Sequence, residues 1–479
     1  SRRMRIVGSK MVLMSLVLLL LAAERVALKA AEDPLGEDTG KESEDERPEG
    51  QTPIIDPLLT SPHHAAIGED TWRMQAIGRM WRLRKEMART PLTQFPLPPE
   101  WSSRVFFKNE SASPTGSCKH RYAWQLFMWA LVEGKIHSNT TIYEASSGNT
   151  AASEAFYAHA LGLNFTAVVP DTIEQIKIDH IIQFGGSEPI RVPIGERLRV
   201  AASKADETGG FFMNQFAHAD VAEEFHESGN WRQESTNVLH EIFSQLHERG
   251  MAEPDFFVHA AGTGGTISSA GRYARRYGMK TKIVLADTEF SVYADYVLNG
   301  RFGNESGASL WVPPGMAGIG YGPMGKIIKG ETSSLDKEVI DEVYKVPDIA
   351  SAAAMRVLQD LNFSGGTSSG INFLVALAIA AKYPGSTIVT PMGDPAVNYA
   401  SSYLNRTWIA ERFGPAADSS GVQQGRRAVL EQYDCWCSII HASLAVVQDP
   451  IALGGRLCEP ASDGDVPEEK TEEDKEVEE

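Results

Sequence analysis

A lysine follows a short run of turn-forming and hydroxyl residues in the segment 113–121, which reads SPTGSCKHR. The proline and the glycine predict a turn, and the apolar pattern of residues 122–132 predicts a helix directly after it. Such a turn places backbone N–H groups and the amine of Lys119 at the start of a helix. An amine held there can form a Schiff base with a carbonyl cofactor. Alone, the pattern is more typical of a surface lysine beside a helix N-cap.

A second segment, 144–151, reads EASSGNTA and lies between a predicted strand and a predicted helix. Hydroxyl groups and free backbone N–H groups at a helix N-terminus form an anion site, and this one suits a carboxylate. A well-capped helix without a ligand is the alternative interpretation.

A third segment, 260–266, reads AAGTGGT and again joins a predicted strand to a predicted helix. Its glycines let the backbone approach a ligand, and successive N–H groups of such a loop can bind a phosphate. The segment lacks both the lysine of a G-x-x-x-x-G-K-[ST] motif and the spacing G-x-G-x-x-G. It therefore favours a phosphate monoester over a nucleoside triphosphate or a dinucleotide, with a tight turn as the alternative.

A fourth segment, 365–371, reads GGTSSGI and offers a hydroxyl group between glycines before a predicted helix. Alone it is also typical of a polar N-cap. Together the four segments supply an amine, a carboxylate site, a phosphate site and a neutral hydroxyl group. These are the contacts that pyridoxal phosphate requires.

With these four motifs in this order, the chain resembles the fold-type II pyridoxal-phosphate enzymes of the cysteine-synthase group over about residues 85–410. The resemblance implies pyridoxal 5'-phosphate as cofactor, an amino acid as substrate and a homodimer. It implies an α/β fold of two open parallel-sheet lobes, like that of tryptophan synthase β, with the cofactor in the cleft between them. It also implies these roles: Lys119 as the catalytic Schiff-base lysine; Asn149 at the ring hydroxyl; Gly262, Thr263, Gly264, Gly265 and Thr266 at the phosphate; Ser368 at the pyridine nitrogen; and Ser146, Ser147, Thr150 and Gln215 at the substrate carboxylate.

Within that group, several features look like the cysteine desulfhydrases of bacteria and fungi, among them His120, Glu110 and the segments 346–348 and 352–356. This likeness implies β-elimination on L-cysteine, which gives sulfide, pyruvate and ammonia. The alternatives are β-replacement on O-acetylserine or a related amino acid, dehydration of serine or threonine, and cofactor binding with little turnover. The last is motivated by residues 394–399, which read DPAVNY where the family has D-S-G-x-R-Y.

Strand-like and helix-like segments alternate through the middle of the chain, which predicts an open parallel sheet with crossover helices. The predicted strands are 142–145, 165–169, 256–260, 282–286 and 387–389. The predicted helices are 122–132, 151–160, 176–184, 236–249, 268–277 and 373–382, after a basic helix-like stretch from near Trp72 to Met87. The pattern ends after Gly414, apart from the apolar stretch 439–447.

These patterns divide the chain into four parts. Basic residues before the apolar stretch 11–23 predict a signal peptide or a membrane anchor within residues 1–31, with a mitochondrial leader as the minor alternative. Residues 32–66 predict an acidic flexible linker, and residues 67–413 the catalytic domain. Residues 414–479 form a C-terminal extension that ends in an acidic tail, for which we predict disorder.

Composition bears on the compartment and on the partners. The net charge of −18, without a basic patch beyond the N-terminus, argues against nucleic acid. The four cysteines are too few for a disulfide scaffold and lack the spacing of a metal site, although one bridge near the C-terminus can form in an oxidising compartment. An excess of N-x-S/T triplets favours a glycoprotein of the secretory pathway, secreted or anchored to the membrane. These triplets begin at Asn109, Asn139, Asn164, Asn304, Asn362 and Asn405.

Overall fold

Two mostly parallel β-sheets carry the described part of the chain, one of six strands and one of four. The strands are β1 (Leu92–Gln94), β2 (Arg104–Asn109), β3 (Ile142–Glu144), β4 (Phe165–Pro170), β5 (Ile190–Val192), β6 (Phe211–Phe212), β7 (Phe256–Ala260), β8 (Lys282–Thr288), β9 (Glu342–Val346) and β10 (Thr387–Met392). The large sheet has the strand order β1-β2-β10-β7-β8-β9, and the small sheet has the order β5-β4-β3-β6. We call each sheet, with the helices packed on it, the large lobe and the small lobe.

Helices connect the strands and cover the sheets. Within the described residues they are α1 (Pro62–Glu86), α2 (Lys119–Val132), α3 (Asn149–Leu161), α4 (Gln175–Gln183), α5 (Arg197–Thr208), α6 (Gln215–Ala222), α7 (Val238–Glu248), α8 (Gly265–Arg276), α9 (Tyr293–Asn299), α10 (Asp348–Asp360), α11 (Thr367–Lys382), α12 (Arg406–Phe413), α13 (Val422–Ala445) and α14 (Pro450–Leu457). Short 3₁₀ turns add to these, among them Ala396–Tyr399.

The central strands are buried on both faces. Every residue of β7 and of β10 is buried, as is typical of parallel strands that are covered by helices on both sides. Strand β1 is an exception, because it pairs antiparallel with β2 and places Leu92 opposite Lys108. The predicted α/β fold with two parallel-sheet lobes is confirmed, and the antiparallel edge is a feature that the sequence pattern did not predict.

Four helices begin two to six residues before their predicted starts: α2 at Lys119, α3 at Asn149, α8 at Gly265 and α11 at Thr367. Apart from Ile267 and Ile371, the extra residues are glycine, serine, threonine and other polar types. They show no apolar period and were therefore left out of the predicted helices. Because the first four N–H groups of a helix lack intrahelical partners, these residues offer donors to whatever lies before the helix. The motifs of interest thus occupy helix first turns.

The C-terminal extension is part of the large lobe as far as Cys458. Helices α13 and α14 pack against α10 and α11, and the α13 side chains Tyr433, Trp436 and Ile440 are buried in the large-lobe core. A disulfide joins Cys435 to Cys458 and so links the two helices. The expectation that the pattern ends after Gly414 was wrong, because polar residues between widely spaced apolar ones masked a helix with one buried face.

The structure is a computed structural model, and it describes residues 62–146, 148–222, 232, 235–300, 315–322, 327–415, 417 and 421–458. The predicted leader, most of the linker, Ser147, Asn304 and the acidic tail lie outside the described residues. Helix α1 already begins at Pro62, so the last five residues of the predicted linker are helical. Within the described ranges, no helix combines the length and the apolar character needed to cross a membrane.

A buried group of charges holds α2 against the large lobe. The Arg121 guanidinium donates to both carboxylate oxygens of Glu110, at 2.7 and 2.8 Å, and to Glu241 at 3.1 Å. Lys108 is buried beside them and forms an ion pair with the same Glu241 at 2.5 Å. Because Arg121 lies two residues after Lys119, this network fixes the helix turn that carries the candidate catalytic lysine.

Candidate active site

A cavity of about 910 Å³ opens where the carboxyl ends of the two sheets face each other. This is the usual position of ligand sites in open α/β sheets. Ser368 lines it from the large lobe, whereas Lys119, Ser146 and Asn149 line it from the first turn of α2 and from the β3–α3 segment, both of which pack in the small lobe. The fold therefore brings together segments that are up to about 250 residues apart in the sequence.

Lys119 is the first residue of α2 and lines the cavity. Its turn is attached to the end of β10, because the backbone N–H of Cys118 donates to the carbonyl of Gly393 at 2.8 Å. The Lys119 amine lies 5.1 Å from the centre of the Tyr122 ring. His259, which also lines the cavity, has its pKa lowered to about 3 by burial and by the positive charge of Lys119. That histidine is neutral at physiological pH.

The loop 262–266 lies across the same cavity and leads into α8. Gly264 has a φ of +86°, and a Cβ atom there would lie 2.4 Å from the backbone nitrogen of Leu335. The Thr263 carbonyl accepts a hydrogen bond from the Ser334 N–H at 2.8 Å, which holds the loop in place. Four of the five predicted phosphate-binding residues line the cavity, whereas Gly265 does not. The α8 N-terminus thus places the partial positive charge of its helix dipole at the cavity.

The small-lobe loop after β3 leads in the same way into α3. Thr150 donates its hydroxyl hydrogen to the Gln215 side-chain oxygen at 2.7 Å, so these two predicted substrate residues are in direct contact. The Gln215 backbone N–H in turn donates to the buried carboxylate of Glu144 at 3.0 Å. Ser146, Thr150 and Gln215 all line the cavity; Ser147 lies outside the described residues.

Ser368 lies in the first turn of α11 beside Gly393. A Cβ atom on Gly393 would come within 2.8 Å of the Ser368 hydroxyl oxygen, so glycine leaves room for that hydroxyl at the cavity wall. The neighbouring Asp394 accepts hydrogen bonds from Asn149 at 2.8 Å and from the Tyr399 hydroxyl at 2.7 Å. Segment 394–399, which differs from the family motif, thus keeps the first and last residues of that motif, and these two are hydrogen-bonded to each other. Of the differing residues between them, Asn398 lines the cavity.

Several residues of the site were not predicted. Glu144 and Glu154 form a buried acidic pair at the end of β3 and on α3. Burial raises the pKa of Glu144 to about 7, and burial together with the Glu144 charge raises the pKa of Glu154 well above its usual range. Glu144 could have been noticed because it immediately precedes the ASSGNT segment. Lys177, Arg197 and Arg412 also line the cavity, but no motif marks them in the sequence.

His120, by contrast, is held away from the chemistry. One ring nitrogen lies 3.1 Å from the Thr115 hydroxyl oxygen and the other 2.8 Å from the Tyr157 hydroxyl oxygen. Burial lowers its pKa to about 3, with a further contribution from the charge of Arg121. The side chain is therefore a neutral part of the packing between α2 and α3.

Pyridoxal 5'-phosphate fits this donor set. The cavity volume lies within the range of roughly 300–1,000 Å³ typical of small-molecule sites. Three kinds of group line it: the Lys119 amine, the 262–266 loop and the Ser368 hydroxyl beside Gly393. In the loop, a Cβ atom at Gly264 would clash with the backbone of Leu335. Lys119 would hold the aldehyde carbon, the 262–266 loop the phosphate, Asn149 the ring hydroxyl and Ser368 the ring nitrogen.

Comparison with known proteins gives the same answer. The family model described as "Pyridoxal-phosphate dependent enzyme" matches residues 83–394. A pyridoxal-phosphate dependent protein of Caenorhabditis elegans is 43% identical over 403 residues, which cover 81% of this chain and 90% of that protein. The L-cysteine desulfhydrase Cds1 of Mycobacterium tuberculosis is 33% identical over 368 residues, which cover 75% of this chain and 95% of that protein. The crystal structure of an O-acetylserine dependent cystathionine β-synthase from Helicobacter pylori superposes with a TM-score of 0.52 at 27% identity. The match covers 66% of this chain and 95% of that one.

The chain belongs to the family of pyridoxal-phosphate dependent enzymes, in its cysteine synthase-like, fold-type II branch. Its cofactor is pyridoxal 5'-phosphate, and its relatives place it in cysteine metabolism. The resemblance drawn from the four motifs is thereby confirmed.

Proposed function

We propose that the protein catalyses β-elimination on L-cysteine, which with one water gives sulfide, pyruvate and ammonia. The observation that carries this proposal is the shared cavity, in which Lys119 and the phosphate loop 262–266 face the carboxylate site at the start of α3. The similarity to a mycobacterial L-cysteine desulfhydrase, over 75% of the chain, supports cysteine as the substrate.

The side chains divide the work as follows. When bound, the cofactor withdraws electrons from the Cα atom of the amino acid joined to it, which makes the Cα proton acidic. Ser146, Thr150 and the N-terminus of α3 bind the substrate carboxylate. The Lys119 amine accepts the Cα proton. Ser368 offers a neutral hydroxyl to the ring nitrogen and so does not keep that nitrogen protonated, which favours loss of the β-substituent over transamination.

Purified protein incubated with L-cysteine tests the proposal through sulfide and pyruvate, which we expect in equal amounts. Lys119→Ala should abolish both products and the visible absorption band that a lysine-linked cofactor shows. Lys177→Ala is the matched control, because it removes another amine of the same cavity and should keep the band. Turnover in Lys119→Ala, or faster pyruvate release from serine than from cysteine, would refute the proposal.

β-Replacement is the second candidate function. The cysteine synthase-like fold and the similarity to an O-acetylserine dependent enzyme favour it. O-acetylserine and sulfide supplied together would then give cysteine faster than O-acetylserine alone gives pyruvate.

We further propose that the chain passes through the secretory pathway. Two observations support this: the triplet asparagines Asn139, Asn164, Asn362 and Asn405 are exposed, and Cys435 and Cys458 are joined. Protein from animal cells should lose mass on treatment with an N-glycosidase. An unchanged mass, together with free Cys435 and Cys458 thiols, would contradict this compartment.

A homodimer is proposed from the family resemblance alone. Light scattering of the purified protein would show it as about twice the chain mass of 52.4 kDa.

A further inference from the structure

The cavity is basic although the protein is acidic. The chain carries a net charge of −18, yet the described residues that line the cavity include four basic side chains, Lys119, Lys177, Arg197 and Arg412, against the acidic Asp179 and Asp394. Asp394 is buried and its pKa is raised by that burial, so its negative charge is disfavoured. A local excess of positive charge in a cleft concentrates anionic ligands.

Among the described residues, Lys177 is the cavity cation that forms an ion pair, whereas Lys119, Arg197 and Arg412 do not. Lys119 is the candidate Schiff-base lysine and Arg412 is exposed, which leaves Arg197 as the half-buried cation to be explained. It is the first residue of α5, is half-buried and lines the cavity from the small lobe. Its Nε donates to the carbonyl of Ile194 at 3.0 Å, and within the described ranges no carboxylate lies within ion-pair distance of it. Two residues later on the same helix, Arg199 pairs with Glu196. Lys177 likewise pairs with Glu174 at 2.8 Å.

The buried acid Glu144 does not supply that counter-ion. Glu144 influences Arg197 electrostatically, but its carboxylate already accepts the N–H groups of Ala145 at 2.7 Å and of Gln215 at 3.0 Å. The Arg197 side chain is half-buried, and this burial lowers the pKa of its guanidinium. Such a cation is costly unless a ligand supplies a negative group, and the planar guanidinium suits a carboxylate.

The two anionic groups of the proposed reaction, the cofactor phosphate and the substrate α-carboxylate, already have other binding residues. The cofactor phosphate has the loop 262–266, and the substrate α-carboxylate has the start of α3 with Gln215. We propose that Arg197 binds the carboxylate of a second substrate, an acidic thiol that replaces the sulfide of L-cysteine. This inference rests on the proposed function and deepens it toward a transfer.

The proposed step balances without an oxidant or a reductant. The Cβ–S bond of cysteine breaks and sulfide leaves, while the thiol sulfur forms a new Cβ–S bond and its proton accompanies the sulfide. With 3-mercaptopropionate as the thiol, the products are hydrogen sulfide and S-(2-carboxyethyl)cysteine. The cavity volume of about 910 Å³ leaves room for such a thiol beside the amino acid.

The test compares 3-mercaptopropionate with 2-mercaptoethanol, a neutral thiol of similar length, each with L-cysteine and the holoenzyme. Thioether product is measured by mass spectrometry, alongside sulfide and pyruvate. We expect kcat/KM for the acidic thiol to exceed that for the neutral thiol by about 10-fold or more, which is the usual scale for a charge-assisted hydrogen bond. Arg197→Met should reduce this ratio to near one, and Arg197→Lys should keep part of it. Arg199→Met, on the exposed face of the same helix, should leave the ratio unchanged.

Each outcome has one meaning. If the wild-type enzyme shows no preference for the acidic thiol, or if Arg197→Met keeps the full preference, the inference is overturned while sulfide release from cysteine still supports the proposed function. If Arg197→Met instead changes the ratio of rates with O-phosphoserine and O-acetylserine and leaves the thiol ratio intact, Arg197 serves an anionic leaving group and the inference is likewise overturned. If cysteine releases no sulfide with any thiol, the proposed function itself fails.

Discussion

The side-chain amide of Asn149 donates a hydrogen bond to the carboxylate of Asp394 at 2.8 Å. Asn149 is the first residue of α3 on the small lobe, whereas Asp394 follows β10 on the large lobe. The same carboxylate oxygen accepts the hydroxyl of Tyr399 at 2.7 Å. One buried acid of the large lobe thus orients the small-lobe amide that is expected to face the cofactor ring.

Removing the Asp394 carboxyl group should weaken the binding of the cofactor. In Asp394→Ala, Asn149 and Tyr399 both lose a partner, and leaving buried polar groups unsatisfied costs about 1–3 kcal/mol. We therefore expect the dissociation constant for pyridoxal phosphate to rise about 5- to 150-fold, measured by titrating the apoenzyme. Asp360→Ala, which changes an exposed acid on α10, is the control. Equal affinity in the two variants would show that the contact does not orient Asn149.

The phosphate loop should not tolerate a side chain at Gly264. A methyl group there meets the Leu335 backbone, and the φ of +86° adds strain. We expect Gly264→Ala to lose more than about 2 kcal/mol of unfolding free energy and to bind the cofactor weakly. Gly250→Ala separates the two causes, because Gly250 also has a positive φ, of +70°, but has open space around it. A loss of only about 1 kcal/mol is expected there. Similar losses in both variants, measured by chemical denaturation, would contradict the predicted clash.

The buried acidic pair Glu144 and Glu154 should make stability depend on pH. Burial raises the pKa of Glu144 to about 7 and also raises that of Glu154, whereas both groups ionise near 4.5 in the unfolded chain. The native state thus holds protons that the unfolded chain has lost, so stability should fall as the pH rises from about 4.5 through 7.

Replacing Glu154 isolates this effect. Glu154→Gln removes one acid of the pair, so its Tm should match that of the wild-type protein near pH 5 and exceed it near pH 8. Glu133→Gln, an exposed substitution at the end of α2, should leave the pH profile unchanged. A variant profile parallel to that of the wild-type protein would exclude the pair as the source.

The buried charge network should be costly to break from one side. Glu241→Ala leaves both Lys108 and Arg121 with a lost counter-ion, and we expect a loss of about 3–5 kcal/mol of unfolding free energy. Glu248→Ala on the same helix breaks an exposed pair with Arg89, for which about 0–1 kcal/mol is expected. Denaturant titration of the two variants checks the contrast, and comparable losses would show that burial does not set the cost.

The four motifs could be predicted because each places small and hydroxyl residues where a strand meets a helix, and that junction has the same physical properties in any parallel sheet. The contact between Asn149 and Asp394 could not, since it joins residues that are 245 positions apart and depends on how the lobes face each other. Arg197 was missed for another reason: its significance lies in its lack of an ion-pair partner among the described residues, and a sequence does not display which residues pair.

Element prediction failed where periodicity is weak. Strands β5 and β6 have three and two residues, too few to show an alternating pattern. Helix α13 buries a narrow face, with Tyr433, Trp436 and Ile440 among many polar residues. In both cases tertiary packing supplies the stability that local pattern does not reveal.

Gly454 lies where α14 crosses α13, and a Cβ atom there would come within 2.1 Å of the Trp436 ring. Helix α14 in turn packs on α11, the helix whose first turn carries Ser368. A substitution at Gly454 would therefore change none of the residues expected to contact the cofactor. It would nevertheless push α14 away from α13 and from α11, the helix that carries Ser368. Gly454 thus belongs among the positions at which a substitution can impair the site, although it lies far from the cavity.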